Sequence, residues 1–138
     1  MGPFDRLAER SQDWLAQALR DLESARWQAQ GGFFEWACFA AQQAAEKALK
    51  AVYQKLGAEA RGPSVIGLLA GLRERVRVDE TLFECARLLD RFYIPTRYPN
   101  GWPAGSPKDF YTEKDAADAI RCAEELVRFG NGLLAGPG

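Results

Sequence analysis

The stretch Ala37–Leu56, ACFAAQQAAEKALKAVYQKL, decides how the rest of the chain is read. It has no Gly or Pro, is built mostly from strong helix formers, and is followed by Gly57, the residue type that most easily turns left-handed past a helix end. Set at about 100° per residue, it divides into two faces. One gathers Ala37, Ala41, Ala44, Ala45, Ala48, Leu49, Val52 and Leu56, a mostly alanine stripe that lets a neighbouring backbone come close. The other gathers Gln42, Gln43, Glu46, Lys47 and Lys50 among Trp36, Phe39 and Tyr53. A solvated face has no need of three large aromatics, and a plain core face does not hold two lysines and a glutamate. The helix is therefore expected at the centre, packed on one side and carrying polar groups beside apolar walls on the other. The plainer alternative is a half-buried helix whose lysine stems cover its aromatics.

Upstream, Phe4 to Gln30 reads as a helix, with Trp14, Ala18, Leu22, Ala25 and Ala29 at helical spacing. Gly31 and Gly32 end it, and so short a link folds the second helix, from about Phe33 to Leu56, back antiparallel on the first. Downstream, Ala58 to Pro63 is a loop, and Ser64 caps a shorter helix through about Arg75. Arg73, Arg75 and Arg77 form a local basic cluster at its end, read as solvated helix-end charges rather than a binding patch. Asp79 caps a fourth helix ending near Tyr93. Residues 94–111, IPTRYPNGWPAGSPKDFY, hold four prolines and two glycines, which forbid a regular element. Thr112 and Asp115 are spaced as a capping box for a last helix to about Phe129, with a frayed tail over about 130–138. The expectation is one all-α domain over 1–138: an up-and-down bundle of four to five helices with a proline-rich loop before the last helix.

Composition narrows the chemistry. A net charge of −1 gives no global basic footprint for duplex DNA. No apolar run is long enough to span a bilayer, and no signal-peptide pattern opens the chain, so a cytoplasmic protein is expected. Cys38, Cys85 and Cys122 form no CxxC pair; they read as small buried hydrophobes rather than a zinc site or a disulfide framework. The chain contains no histidine, which removes the commonest general base and metal ligand. No metal site is expected, and no cofactor beyond a possible nucleotide ligand, which alone would bring Mg.

Three stretches together, ACFAAQQAAEKALKA, LDRFYIPTRYPNGWP and YTEKDAADAIRCAEEL, resemble the HEPN family (higher eukaryotes and prokaryotes nucleotide-binding). The likeness runs from Trp14 and Asp21-Leu22 to the last helix. It implies four or five helices, commonly assembled as a symmetric dimer, and in many bacterial members a minimal nucleotidyltransferase partner in a toxin–antitoxin-like pair. Some members cleave RNA without metal, through an Arg followed after four to six residues by a His, repeated across the dimer. Arg97 stands where the family's loop arginine stands, but the positions for the histidine hold Trp102, Pro103 and Ala104. Phe39, which a histidine often follows in relatives, is here followed by Ala40. The resemblance thus implies a non-nucleolytic member.

The residues left to do chemistry are few. Arg97 offers a planar fork for phosphate, Lys47 and Lys50 add point charges, and Tyr98 and Trp102 offer faces for a base. Glu46 and Asp90 would orient those cations; alternatively Glu46–Lys50 is an ordinary helical pair and Arg97 bonds Asp90. The leading expectation is a nucleotide- or RNA-contacting module that works with a nucleotidyltransferase. The alternatives are a structural scaffold dimerising through its alanine stripe or aromatic loop, and a residual endoribonuclease using Arg97 with Tyr98 or Asp90.

Overall fold

The computed structural model describes residues 3–93 and 99–136, and among these it is all-helical. Five α-helices follow in order: α1 (Pro3–Gln30), α2 (Phe34–Leu56), α3 (Val65–Leu72), α4 (Glu80–Asp90) and α5 (Glu113–Ala135). Two short 3-10 turns, Pro99–Gly101 and Pro107–Asp109, lie in the proline-rich connection before α5. No helix among the described residues is long and apolar enough to cross a membrane.

The helix boundaries follow from local chemistry. At Gly32 the chain takes φ 84°, a left-handed conformation open to glycine, and α2 turns back on α1. Gly57 takes φ 68°, and the Ala58 N–H closes the end of α2 onto Tyr53 O at 3.0 Å. The Ser64 hydroxyl accepts from Gly67 N at 3.0 Å, Asp79 caps α4, and Thr112 and Asp115 form the expected reciprocal box on α5.

Helix α2 is central. Its alanine stripe is buried against α1 and α5, apart from Leu56, which is exposed. A Cβ built on Gly130 of α5 would lie 3.0 Å from Ala48 O, so alanine and glycine together bring these two backbones close. Lys55 Nζ donates to Leu134 O at 2.7 Å, which makes α5 run in the same direction as α2. Leu15, Ala51 and Leu134 pack together at that end, so α1 runs opposite to both. The connection after α2 doubles back along it, because Gln42 donates to Pro63 O at 2.9 Å and the Tyr53 hydroxyl to Leu68 O at 2.7 Å.

Two expectations need correction. Helix α5 does not end at Phe129 with a frayed tail; it continues to Ala135, with Gly130 and Leu134 buried. The reason is the partner: Ala48 and Ala51 of α2 present small side chains against which the last turns pack. On the polar face of α2, Gln42 is fully buried, its amide satisfied by Pro63 O, by Gln43 and by Glu46. Cys85 and Cys122 are not free: they are joined as a disulfide between α4 and α5, with Cα atoms 4.9 Å apart, within the span a disulfide bridges. Cys38 alone is a free, buried thiol.

Candidate functional site

The polar edge of α2 meets α1, and its cations are all engaged. Lys47 Nζ lies 2.6 Å from Asp21 of α1, a partly buried pair. Lys50 Nζ lies 3.0 Å from Glu46 one turn back, and 5.9 Å from the centroid of the Trp14 ring. Glu46, only 8% exposed, also accepts from Gln43 at 3.3 Å and Gln42 at 3.4 Å. It therefore sits at the centre of a chain of amides ending on the lysine, which holds Lys50 in one place. Beside Lys47, a surface cavity of about 270 Å³ is lined by Arg10, Asp13, Trp14, Gln17 and Lys47. Arg10 is itself paired with Asp13 at 3.0 Å. An anion entering this cavity must share or displace a carboxylate, so the place offers an aromatic wall and exchangeable cations rather than a bare positive pocket.

The loop candidates are placed differently. Arg97 and Tyr98 lie outside the described residues. Trp102 stacks on Phe110 with centroids 4.1 Å apart and planes 4° apart, and meets Tyr111 edge-on at 5.8 Å. Asp90 is engaged at the start of α3, where its carboxylate accepts from Val65 N at 2.7 Å, Ile66 N at 3.1 Å and the Ser64 hydroxyl at 2.9 Å. Val65 N and Ile66 N are among the N–H groups that a helix start leaves unpaired, so Asp90 caps α3 from the end of α4. The chain entering residues 94–98 starts beside α2, since Tyr93 lies 6.1 Å from Phe39, which lies 6.5 Å from Trp36. Lys47 is eight residues along α2 from Phe39, about 12 Å at the helical rise. Of the arginine cluster, Arg73 pairs with Glu80 at 2.7 Å and lies 4.1 Å from the Phe83 ring.

Proton transfer has little to work with among these groups. Burial, with Asp115 and Glu35 nearby, pushes the Cys38 thiol up to about 12. Burial, with Cys38 and Asp115 nearby, pushes the Tyr111 hydroxyl up to about 12 as well. Neither is a base near neutral pH. Among the described residues no three His, Cys, Asp or Glu side chains group as they would to hold a metal ion.

Sequence reading named Lys47, Lys50 and Glu46 but not the α1 side chains that frame them: Arg10, Asp13, Trp14 and Gln17. A signal existed. In an antiparallel hairpin, residues at roughly equal distances from the turn face each other, which brings Leu15 to Ala51 about Phe33 and Asp21 to Lys47 about Phe34.

The model of the HEPN domain matches residues 11–133. The solved structure of TT1696 from Thermus thermophilus is 45% identical, with a TM-score of 0.88, over 90% of this chain and 98% of its own. ST0689, described as an archaeal HEPN homologue, is 41% identical, with a TM-score of 0.77, over 90% of this chain and 97% of its own. A HEPN domain protein (tm0613) from Thermotoga maritima is 39% identical, with a TM-score of 0.73, over 89% of this chain and 98% of its own. A search of curated proteins gave no match. With the family model covering most of its length and relatives this similar end to end, the chain belongs to the HEPN domain family.

Proposed function

We propose that this chain is a non-nucleolytic HEPN module that contacts a nucleotide or RNA and works beside a minimal nucleotidyltransferase in a toxin–antitoxin-like pair. The absence of histidine anywhere in the sequence carries the non-nucleolytic part, because the family's cleaving members use one as their acid–base group. The high proton affinity of Cys38 and Tyr111 supports it, since neither supplies a substitute base. The contacting surface is the edge of α2, where Lys47 and Lys50 stand beside the Trp14 ring and its cavity; Arg97, outside the described residues, is the further candidate named from the sequence. An aromatic face next to cations is the combination that takes a base and its phosphates.

The test is a titration of protein free of any histidine tag with ATP, GTP and a short single-stranded RNA. Wild type is compared with Arg97→Ala and with Lys47→Met. Binding weakened at least tenfold in either variant, with the RNA left uncut, supports the reading. RNA cleavage abolished by Arg97→Ala, or no binding of any of the three, contradicts it.

A second reading rests on a separate observation. Trp27, Phe33 and Trp36, at the end of the α1–α2 hairpin, are 73%, 58% and 44% exposed. Three large aromatics left in solvent at one end of a bundle fit a dimerising scaffold. The alanine stripe does not serve that scaffold, since it is buried inside the chain. Sedimentation of wild type against Trp27→Ser/Phe33→Ser separates the cases: a dimer that becomes monomeric favours the scaffold, and an unchanged mass disfavours this face.

A further inference from the structure

The cross-link between α4 and α5 is buried, but both of its cysteines line a surface cleft. Cys85 and Cys122 are 5% and 2% exposed, whereas Cys38 is wholly buried. The pair forms part of the lining of a surface cleft of about 440 Å³, with Thr81, Glu84 and Leu88 from α4 and Arg121 and Glu125 from α5. What the bond ties down is the α3–α4 hairpin, which shares one core with α1, α2 and α5 and is also held to α2 by the Tyr53 hydroxyl on Leu68 O. Helices α3 and α4 form a hairpin whose two ends are fastened to each other, by Asp90 on Ser64, Val65 and Ile66 at one end and by Arg73 on Glu80 at the other. That hairpin meets α5 through the buried side of α4, where the disulfide lies. Phe92 and Tyr93, which lead into residues 94–98, follow directly from its end.

We propose that the Cys85–Cys122 disulfide is a redox-operated clamp: closed, it fixes the α3–α4 hairpin on α5; opened through the cleft by a small neutral dithiol, it lets that hairpin open locally while α1, α2 and α5 stay packed. In the opening step a thiolate of the dithiol attacks the Sγ of Cys85, the more exposed of the two residues, and a new S–S bond forms as the protein bond breaks. Cys122 leaves as a thiolate and takes a proton from water. The second thiol of the reagent, deprotonated, then displaces Cys85, which is protonated in turn. The reagent ends as a cyclic disulfide and the protein as two thiols, so two electrons pass from reagent to protein. Closure is the reverse, with the cyclic disulfide as oxidant. Glu84 and Glu125 outnumber Arg121 at the cleft and disfavour an anionic reagent, which is why a neutral dithiol is the matching class. Local opening of one hairpin against an intact remainder is the behaviour of a cooperative subunit of a fold.

The experiment is hydrogen exchange by mass spectrometry on the full chain, equilibrated under native conditions with either dithiothreitol or its cyclic oxidised form. The oxidised protein is expected to weigh two hydrogens less than the reduced. On reduction, exchange across residues 65–72 and 80–90 is expected to speed at least tenfold more than exchange in the central turns of α2 and α5. Cys122→Ser, which cannot close the bond, is expected to match the reduced wild type in either condition. The clamp is overturned if the two thiols fail to pair in the oxidised reagent, or if the bond opens only in urea concentrations that unfold the whole chain. It is equally overturned if exchange rises uniformly or not at all, or if Cys122→Ser still responds to the redox condition.

Discussion

Cys38 faces the centre of the bundle, close to Asp115 and Tyr111, and burial pushes both the thiol and the hydroxyl up to about 12 from ordinary values of 9.0 and 10.0. Each is neutral when protonated, so the folded chain holds these protons more tightly than the unfolded one. Their contribution to stability is complete below about pH 9 and is lost as pH rises toward 12, at up to about 1.4 kcal/mol per pH unit for each group. Urea midpoints measured from pH 7 to 11 should stay level to about pH 9 and then fall, and Cys38→Ala should make the fall shallower. A midpoint that holds steady through pH 11 would contradict this. At this scale the sequence was only partly legible. The residue types of Lys47, Lys50 and Glu46 were read correctly as a charged edge, but not that Asp21 sits on Lys47 at 2.6 Å. The burial of Gln42 was not legible, because periodicity records only which side of one helix a residue occupies. Whether a loop carbonyl such as Pro63 O covers that side depends on residues far along the chain.

Two glycines on α5 report its packing with opposite signs. A Cβ at Gly130 meets Ala48 O, a helix backbone atom that cannot swing aside, whereas a Cβ at Gly132 meets nothing within 4 Å. Gly130→Val should cost about 2–3 kcal/mol through forced separation of α2 and α5. Gly132→Ala should gain about 0.5 kcal/mol from helix propensity alone. Chemical denaturation of the two variants checks both signs. Asp90 makes a second case, since its carboxylate satisfies three donors at the start of α3 from the end of another helix. Asp90→Ala should destabilise by about 1–2 kcal/mol, in the range of a lost cap, and loosen α3 more than α2 in hydrogen exchange. Helix existence and most starts were legible from Ser64, Asp79 and the Thr112–Asp115 box, because a cap acts within a few residues of sequence. The end of α5 was not, because the glycines at 130 and 132 read locally as a tail and only contact with α2 makes them helix.

Across the whole molecule, one covalent link joins elements that the sequence keeps 37 residues apart. By the chain-entropy argument, a loop of that length closed by a disulfide stabilises the fold by about 4 kcal/mol. Thermal unfolding of oxidised against reduced protein should therefore differ by roughly 10 °C, and equal midpoints would deny the bond a stabilising role. The alanine stripe, the Gly-Gly turn, the caps and the four prolines before α5 are local signals, and they determined an all-helical bundle with α2 at its centre and an irregular connection before the last helix. The absence of histidine, also a property of the sequence alone, removed the family's usual acid–base group whatever the fold. The tertiary structure decided what those signals do not reach: the pairing of Cys85 with Cys122, the wall that Trp14 builds beside Lys47 and Lys50, and the cap that Asp90 lends to α3. Helical periodicity arises from neighbours three and four residues apart, whereas these contacts join helices whose register is set only when their faces pack.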